Sequence, residues 1–213
     1  MTGELDEIIA RKAKRRHVVI RNTLVTTAIV VIVALSVFSG FTYRQMRDYH
    51  DAKYRSQSEI VSYMEGYAES ASNNVQYAVN TSLSLEFRGQ AGSAAVEQLG
   101  FLEVLDRALW EMYLNDHEKC ETFSLLYHSL GSFNMWLSEY QLGIVNSQDL
   151  RMRLASSAIA LGGLVPILNA GFRSDVDFEK HPYSIVDGMD LASIRNIATS
   201  ITEQFQGAIQ SSP

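Results

Sequence analysis

The sequence predicts an all-α protein: a single N-terminal transmembrane helix that continues into a long stalk helix and packs in an extracytoplasmic up-and-down helical bundle. Three observations predict it. Leu24–Phe41 (LVTTAIVVIVALSVFSGF) runs for eighteen residues without a charge. Downstream, apolar residues recur at steps of three and four in five separate stretches, which is the period of a helix face. No segment shows the period-two alternation of a half-buried strand.

Charge divides the chain as hydropathy does. The net charge of −6 combines unlike regions: residues 1–21 hold six basic residues against three acids, and residues 22–43 hold no charge. Residues 44–213 hold twelve basic residues against twenty-one acids, and from Ser56 onward the balance is eight against nineteen. So acidic a region repels phosphate backbones, which argues against nucleic acid as a partner. The basic residues on both sides of the apolar run suit anionic lipid headgroups instead. Cys120 is the single cysteine, so no intramolecular disulfide can form, and a buried unreactive thiol is the expectation.

The first element is the span. A hydrocarbon core of about 30 Å takes about 20 apolar residues of helix. Leu24–Phe41 meets this with Thr23 and Thr42 at its ends, and the hydroxyls of Thr26, Thr27, Ser36 and Ser39 can bond back to helix carbonyls. Basic residues are in excess on the N-terminal side, which places residues 1–21 in the cytoplasm as a short basic tail and residues 44–213 outside. A signal peptide cut before Gly40 is the rival reading, and Arg15-Arg16 gives only a partial twin-arginine pattern. The run is long for a signal core, which favours an uncleaved anchor. Ser36 and Gly40 form a small-xxx-small pair that admits a second helix closely.

The second element is a helix over Tyr43–Phe87, with residues 44–60 as a membrane-proximal stalk. If continuous it spans roughly 65 Å. Its seam is Val61, Met64, Ala68, Ala71, Val75, Ala78, Ser82 and Leu85, and Gly89 with Gly92-Ser93 is expected to break it. Tyr43, Tyr49 and Tyr54 sit where an interfacial aromatic belt belongs. A helix over Ser93–Asn115 follows, with Val96, Leu99, Leu102, Leu105, Leu109 and Met112 as its apolar stripe and Asp106 off it.

Asn115-Asp116-His117 reads as a turn or a cap. The next helix has the clearest seam in the chain: Phe123, Leu126, Leu130, Phe133, Leu137, Tyr140 and Ile144. Its bulk complements the alanine-rich seam of the stalk helix. Ser147 then suits an N-cap, with Asp149 in the favourable first turn. The following helix carries Leu150, Leu154, Ala158, Leu161, Val165, Leu168 and Phe172, kinked by Gly162-Gly163 and Pro166. Ala158–Ala170 is apolar enough to raise a second span, but it is short and closely bounded by Arg151, Arg153 and Arg173, so a buried or partner-facing helix is preferred. Residues 173–190 are irregular, a length at which loops often carry function. A last helix starts near Asp187 or Asp190 and buries Ile194, Ile197, Ile201, Phe205 and Ala208.

Chemistry is thinly signalled. His117, Glu118, Cys120 and Glu121 share one helix start, but a metal site needs three or four converging ligands, for which His50 or His181 would have to approach in space. His128-Ser129 lacks a glycine-flanked nucleophile turn. Trp110, Tyr113, Tyr127, Trp136 and Tyr140 read as core before pocket. The expectation is therefore no enzyme, no cofactor and no metal. It is a membrane-anchored interaction protein, an accessory or scaffold subunit whose partner is another membrane or extracytoplasmic protein or a second copy. Its candidate packing and interaction residues are Ser36, Gly40, Phe123, Leu126, Leu130, Phe133, Leu137 and Tyr140. A ligand-sensing bundle that signals through a partner protein is the alternative.

Overall fold

A computed structural model describes the backbone of residues 2–145, 147–173 and 185–206, and side-chain environments for residues 27, 31–49, 51–145, 147–172 and 185–206. Among the described residues it is all-helical, with no strand. The helices are α1 (Thr2–Val79), α2 (Leu85–Met112), α3 (His117–Gln141), α4 (Gln148–Gly162), α5 (Leu164–Arg173) and α6 (Leu191–Gln206), with a 3-10 turn at Val186–Gly188. The chain divides into two compact units, Met1–Asp51 and Ala52–Pro213.

In the first unit, α1 presents an exposed apolar surface. Val31, Ile32, Val33, Leu35, Val37, Phe38 and Phe41 are all exposed, as are Tyr43, Met46 and Tyr49. Ser36 Oγ donates to the carbonyl of Ile32 and Thr42 Oγ1 to that of Phe38, both at 2.9 Å, so each hydroxyl is satisfied by its own helix.

The second unit is a bundle. The α1 seam of Val61, Met64, Ala68, Ala71, Val75 and Ala78 is buried, but the seam stops there. The helix ends at Val79, not near Phe87, so Ser82 and Leu85 lie outside it and both are exposed. Asn80 accounts for the stop: its Oδ1 accepts from the backbone N–H and hydroxyl of Ser82, an Asx-type turn that competes with helix. Ser84 then caps α2 by accepting from the Phe87 N–H. Consequently α2 begins eight residues earlier than expected and passes through Gly89 and Gly92. Gly92 is buried within α2, with the movable end of the Gln141 side chain of α3 lying where a Cβ would project, so this glycine is part of the helix and not a break. Tyr54 packs against the bundle core instead of joining an exposed aromatic belt, and Gln57 is fully buried, so the core begins before position 60.

Capping fixes the other starts. Asp116 accepts from the Lys119 N–H and opens α3, and Ser147 accepts from Leu150 N–H at 3.0 Å and opens α4 with Asp149 in its first turn. Ser147→Ala is expected to destabilise the bundle by about 1 kcal/mol, read as a lower thermal midpoint by circular dichroism, because one end N–H loses its acceptor. The anticipated kink falls at Gly163, which stays in the right-handed helical region between the end of α4 at Gly162 and the start of α5 at Leu164, with Pro166 in the first turn of α5. Asp190 caps α6 through the Ser193 N–H. Ala208 lies outside the described residues.

Hydrogen bonds and ring contacts order the helices. α1 runs antiparallel to α2, with Tyr67 stacked on Phe101, Ser70 and Asn74 bonded to Gln98, and Gln57 bonded to Tyr113. α2 runs antiparallel to α3, through Glu103 with Asn134 and Trp110 with Cys120. α6 lies beside α3 and parallel to it, since Arg195 meets Thr122, Ser129 meets Ala198 and Thr202, and Phe205 stacks on Phe133 and Trp136. α4 returns antiparallel to α6, where Arg153 bonds the Gln204 carbonyl, and antiparallel to α1, where Ser72 Oγ donates to the Ala158 carbonyl. The five rods thus form a ring in the order α1, α2, α3, α6, α4–α5. Directions alternate along the sequence, but an odd ring must contain one parallel pair, and α6 supplies it by entering between α3 and α4. One continuous apolar core fills the centre.

Candidate functional site

The second helix holds the feature that sequence patterning misassigned. Its buried stripe is Ala95, Leu99, Leu102, Asp106, Leu109 and Tyr113, again stepping by four and three. Leu105, expected in the stripe, is only partly buried, and Asp106 takes its place. Neither carboxylate oxygen of Asp106 has a hydrogen-bond partner among the described residues. Burial therefore pushes its pKa well above the usual carboxylate range. Leu102 has helix neighbours at both 105 and 106. Continuing the alternation from Leu99 would have selected 106, had a carboxylate been admitted as a core residue.

A polar cluster closes the same end of α2. Tyr113 is buried, stacks on Phe123 at 6.1 Å between ring centres, and accepts a hydrogen bond of 2.7 Å from Gln57 Nε2. The ammonium groups of Lys53 and Lys119 lie 5.1 and 5.0 Å from its ring centre, within the range of cation–π attraction. Lys119 also pairs with Asp116 at 2.9 Å and with Asp187. Burial opposes the Lys119 charge, but the hydrogen bonds to Asp187 and Asp116 outweigh it and carry its pKa above the ordinary lysine value. The same contact holds the half-buried Asp116 carboxyl below its ordinary value. Part of the 173–190 segment is thereby given a structural role. Ile185, Val186 and Met189 are buried in the core and Asp187 pins Lys119, while residues 174–184 lie outside the described residues.

The cluster of His117, Glu118, Cys120 and Glu121 borders an open groove of about 420 Å³, lined by Trp110, Leu114, Asn115, His117, Cys120, Glu121 and Ser124. The Cys120 thiol is partly buried and receives the Trp110 indole N–H at 3.0 Å. His117 Nδ1 stands 3.9 Å from Glu121 Oε2, and that carboxylate also meets Arg195 at 3.3 Å. Among the described residues no group of three or more His, Cys, Asp and Glu converges as metal ligands would. The side chain of His50 and all of His181 lie outside the described residues. Ser129 and His128 do not form a nucleophile and base. Ser129 Oγ is buried against the carbonyls of Leu125 and Ala198 and the Thr202 hydroxyl, whereas His128 is exposed beside Tyr127.

The five aromatic residues do not share a pocket. Trp110 tilts against Tyr127, Trp136 stacks on Phe205, and Tyr140 lines a separate cleft of about 280 Å³ with Arg88 and Gln141. The interaction candidates separate in the same way. Phe123, Leu126, Leu130, Phe133 and Leu137 are fully buried in the chain's own core, with Tyr140 half-buried at its edge. Ser36 and Gly40 are exposed on α1, and a Cβ at Gly40 would meet nothing within 4 Å. Among the described residues one helical segment is long and apolar enough to cross a membrane: Gln148–Phe172, which is α4 with α5, whose apolar 18-residue window has a mean hydropathy of 1.5 and is 39% buried in the bundle. Comparison with protein-family models, with curated proteins and with solved structures gives no match.

Proposed function

We propose that this chain is a single-pass membrane-anchored interaction protein, an accessory or scaffold subunit, with its N-terminus in the cytoplasm and its acidic bundle outside the membrane. The observation that carries this reading is the exposed apolar surface of α1 from Val31 to Phe41, within a stretch (22–43) that has no charged residue. Large apolar side chains on every side of one helix need a non-aqueous surrounding. Hydroxyls bonded back to their own helix suit that surrounding, because no lipid group can satisfy them. The flanking excess of basic residues before the span sets the proposed direction. The bundle is then a body for protein contact, its side-chain chemistry spent on caps, bridges between helices and core packing.

Membrane fractionation tests this directly. The full chain is expected to stay in the pellet through alkaline carbonate extraction, and deletion of residues 22–43 to release it. In sealed vesicles of known orientation, protease added from outside should digest the bundle and spare residues 1–21. Release of the intact chain by carbonate would remove the anchor from the reading, and protection of the bundle would reverse its direction.

A ligand-sensing bundle is the second reading, favoured by the groove between Trp110 and His117. Apolar pockets with a few polar groups are the usual shape of a small-molecule site.

A further inference from the structure

Three helix ends meet at one end of the bundle. α1 stops at Val79, α2 starts at Leu85, and α3, antiparallel to α2, stops at Gln141. The cleft of about 280 Å³ opens among them, and its walls include Ala78, Leu85, Arg88, Gly89, Tyr140 and Gln141. Arg88 is half-buried there. Its Nε is buried without a hydrogen-bond partner, and its guanidinium makes no ion pair among the described residues, although Glu86 and Glu139 lie nearby along α2 and α3. Elsewhere in the bundle Arg107, Lys119, Arg153 and Arg195 each pair with a carboxylate. Arg151, whose Nε is also unpartnered, lines neither of the two clefts described above. The Gln141 carboxamide, reaching towards Gly92 from α3, makes no hydrogen bond among the described residues either. Gly89 keeps the cleft open. A Cβ there would meet nothing within 4 Å, and its φ is not positive, so neither packing nor backbone asks for glycine inside this helix.

We propose that this cleft binds a small monocarboxylate with an apolar body, its carboxylate held by Arg88. The site goes beyond the interaction-protein reading and does not rest on it. A buried charged donor without an acceptor is held at a cost that an entering oxygen recovers. The planar guanidinium fork matches the two oxygens of a carboxylate, and the Gln141 amide offers further N–H groups beside it. Ala78, Leu85 and the Tyr140 ring supply the apolar wall for the rest of the molecule. Charge selects a single negative charge over a phosphate. The chain from Ser56 onward carries eight basic residues against nineteen acids, and one guanidinium balances one charge, while each further charge meets the acidic field of the bundle. The cleft volume suits a ligand no larger than a short or single-ring acid.

The test uses the full chain in nonionic detergent, with 4-fluorobenzoate as the probe and fluorine NMR line broadening as the readout. Saturable binding is expected, competed by propionate and not by inorganic phosphate. Its neutral counterpart 4-fluorobenzamide should not bind. Arg88→Gln should weaken binding by roughly tenfold or more, and Arg88→Lys, which keeps the charge and loses the fork, by less. Gly89→Leu should block the cleft without lowering the thermal midpoint, since leucine is the better helix former; it keeps the test open if the Arg88 variants fold poorly. His117→Ala, in the other groove, should leave binding unchanged. No saturable binding, equal binding of the amide, phosphate competing as well as propionate, or binding untouched by Arg88→Gln or by Gly89→Leu would each overturn the proposal. So would loss of binding on His117→Ala.

Discussion

Asp106→Leu is expected to make the bundle more stable at neutral pH by about 2–4 kcal/mol. An unsatisfied buried polar group costs about 1–3 kcal/mol, and a leucine at the same seam position adds the burial of an apolar side chain, about 1.5–3 kcal/mol. For a chain of this size the gain corresponds to a rise of roughly 5–10 °C in thermal midpoint. The pH dependence gives a sharper test. Burial raises the folded pKa of Asp106 above its ordinary value of 3.8. Below that value the carboxyl is protonated in both folded and unfolded chains and has no influence on the balance.

As pH rises, the unfolded chain releases the proton first, and stability falls until pH passes the folded pKa; beyond that the loss is constant. Asp106→Asn should remove this decline while keeping the burial cost, and Asp106→Leu should remove both. Asp116 and Asp190 act in the opposite sense. Their carboxyls are held below 3.8 by hydrogen bonds from Lys119 and Ser193, so their contribution is present above that pH and is lost as pH falls through their folded values. Thermal midpoints of wild type and the two Asp106 variants between pH 4 and 8 check these signs. A wild-type profile that does not fall over this range more steeply than that of Asp106→Asn would show that the carboxyl finds a partner in solution.

The second large effect is at Phe133. Its ring is fully buried and stacks on Phe205, with centres 5.9 Å apart and planes 27° apart, joining α3 to its parallel neighbour α6. Phe133→Ala removes both the buried area and the stacking and leaves a cavity that surrounding helices fill only in part. The expected loss is about 3–5 kcal/mol, measured by denaturant or thermal unfolding of the detergent-purified chain. A loss under 1 kcal/mol would mean that α6 is not seated as described. Leu130→Ala, one turn earlier on the same seam, provides a comparison without an aromatic contact.

The helices themselves were legible because apolar residues recur at steps of three and four, in strict alternation along the seams of α1 and α3. Phe123 through Leu137 and Val61 through Ala78 are buried as their spacing requires. Caps were legible for the same kind of reason: Ser147 and Asp116 precede an apolar run with the side chains that accept a first-turn N–H. The α1–α2 corner was not. Two glycines drew the break towards residue 89, but an Asn-Thr-Ser-Leu-Ser stretch with its own side-chain hydrogen bonds turns the chain at residue 80. Asp106 was hidden because periodicity was counted over apolar letters only. The position of α6 was out of reach for a different reason. Periodicity says which face of a helix is buried, but not which neighbour buries it. For the site, Phe123, Leu126, Leu130, Phe133 and Leu137, singled out from spacing as interaction residues, sit inside the chain's own core.

The place of α6 in the ring has a consequence for synthesis. On the outer side of the membrane, where the proposed topology puts the bundle, the four earlier rods arrive first and can meet in order, each hairpin closing soon after its second helix appears. The slot between α3 and α4 cannot be filled from what has been made so far. Ser129 must wait for Ala198 and Thr202, which follow it by 69 and 73 residues. Until α6 follows, the chain therefore carries an open cleft lined by Phe133 and Trp136. During that interval a helix from another molecule could occupy the vacancy, and α6 decides whether each copy completes itself or borrows from its neighbour.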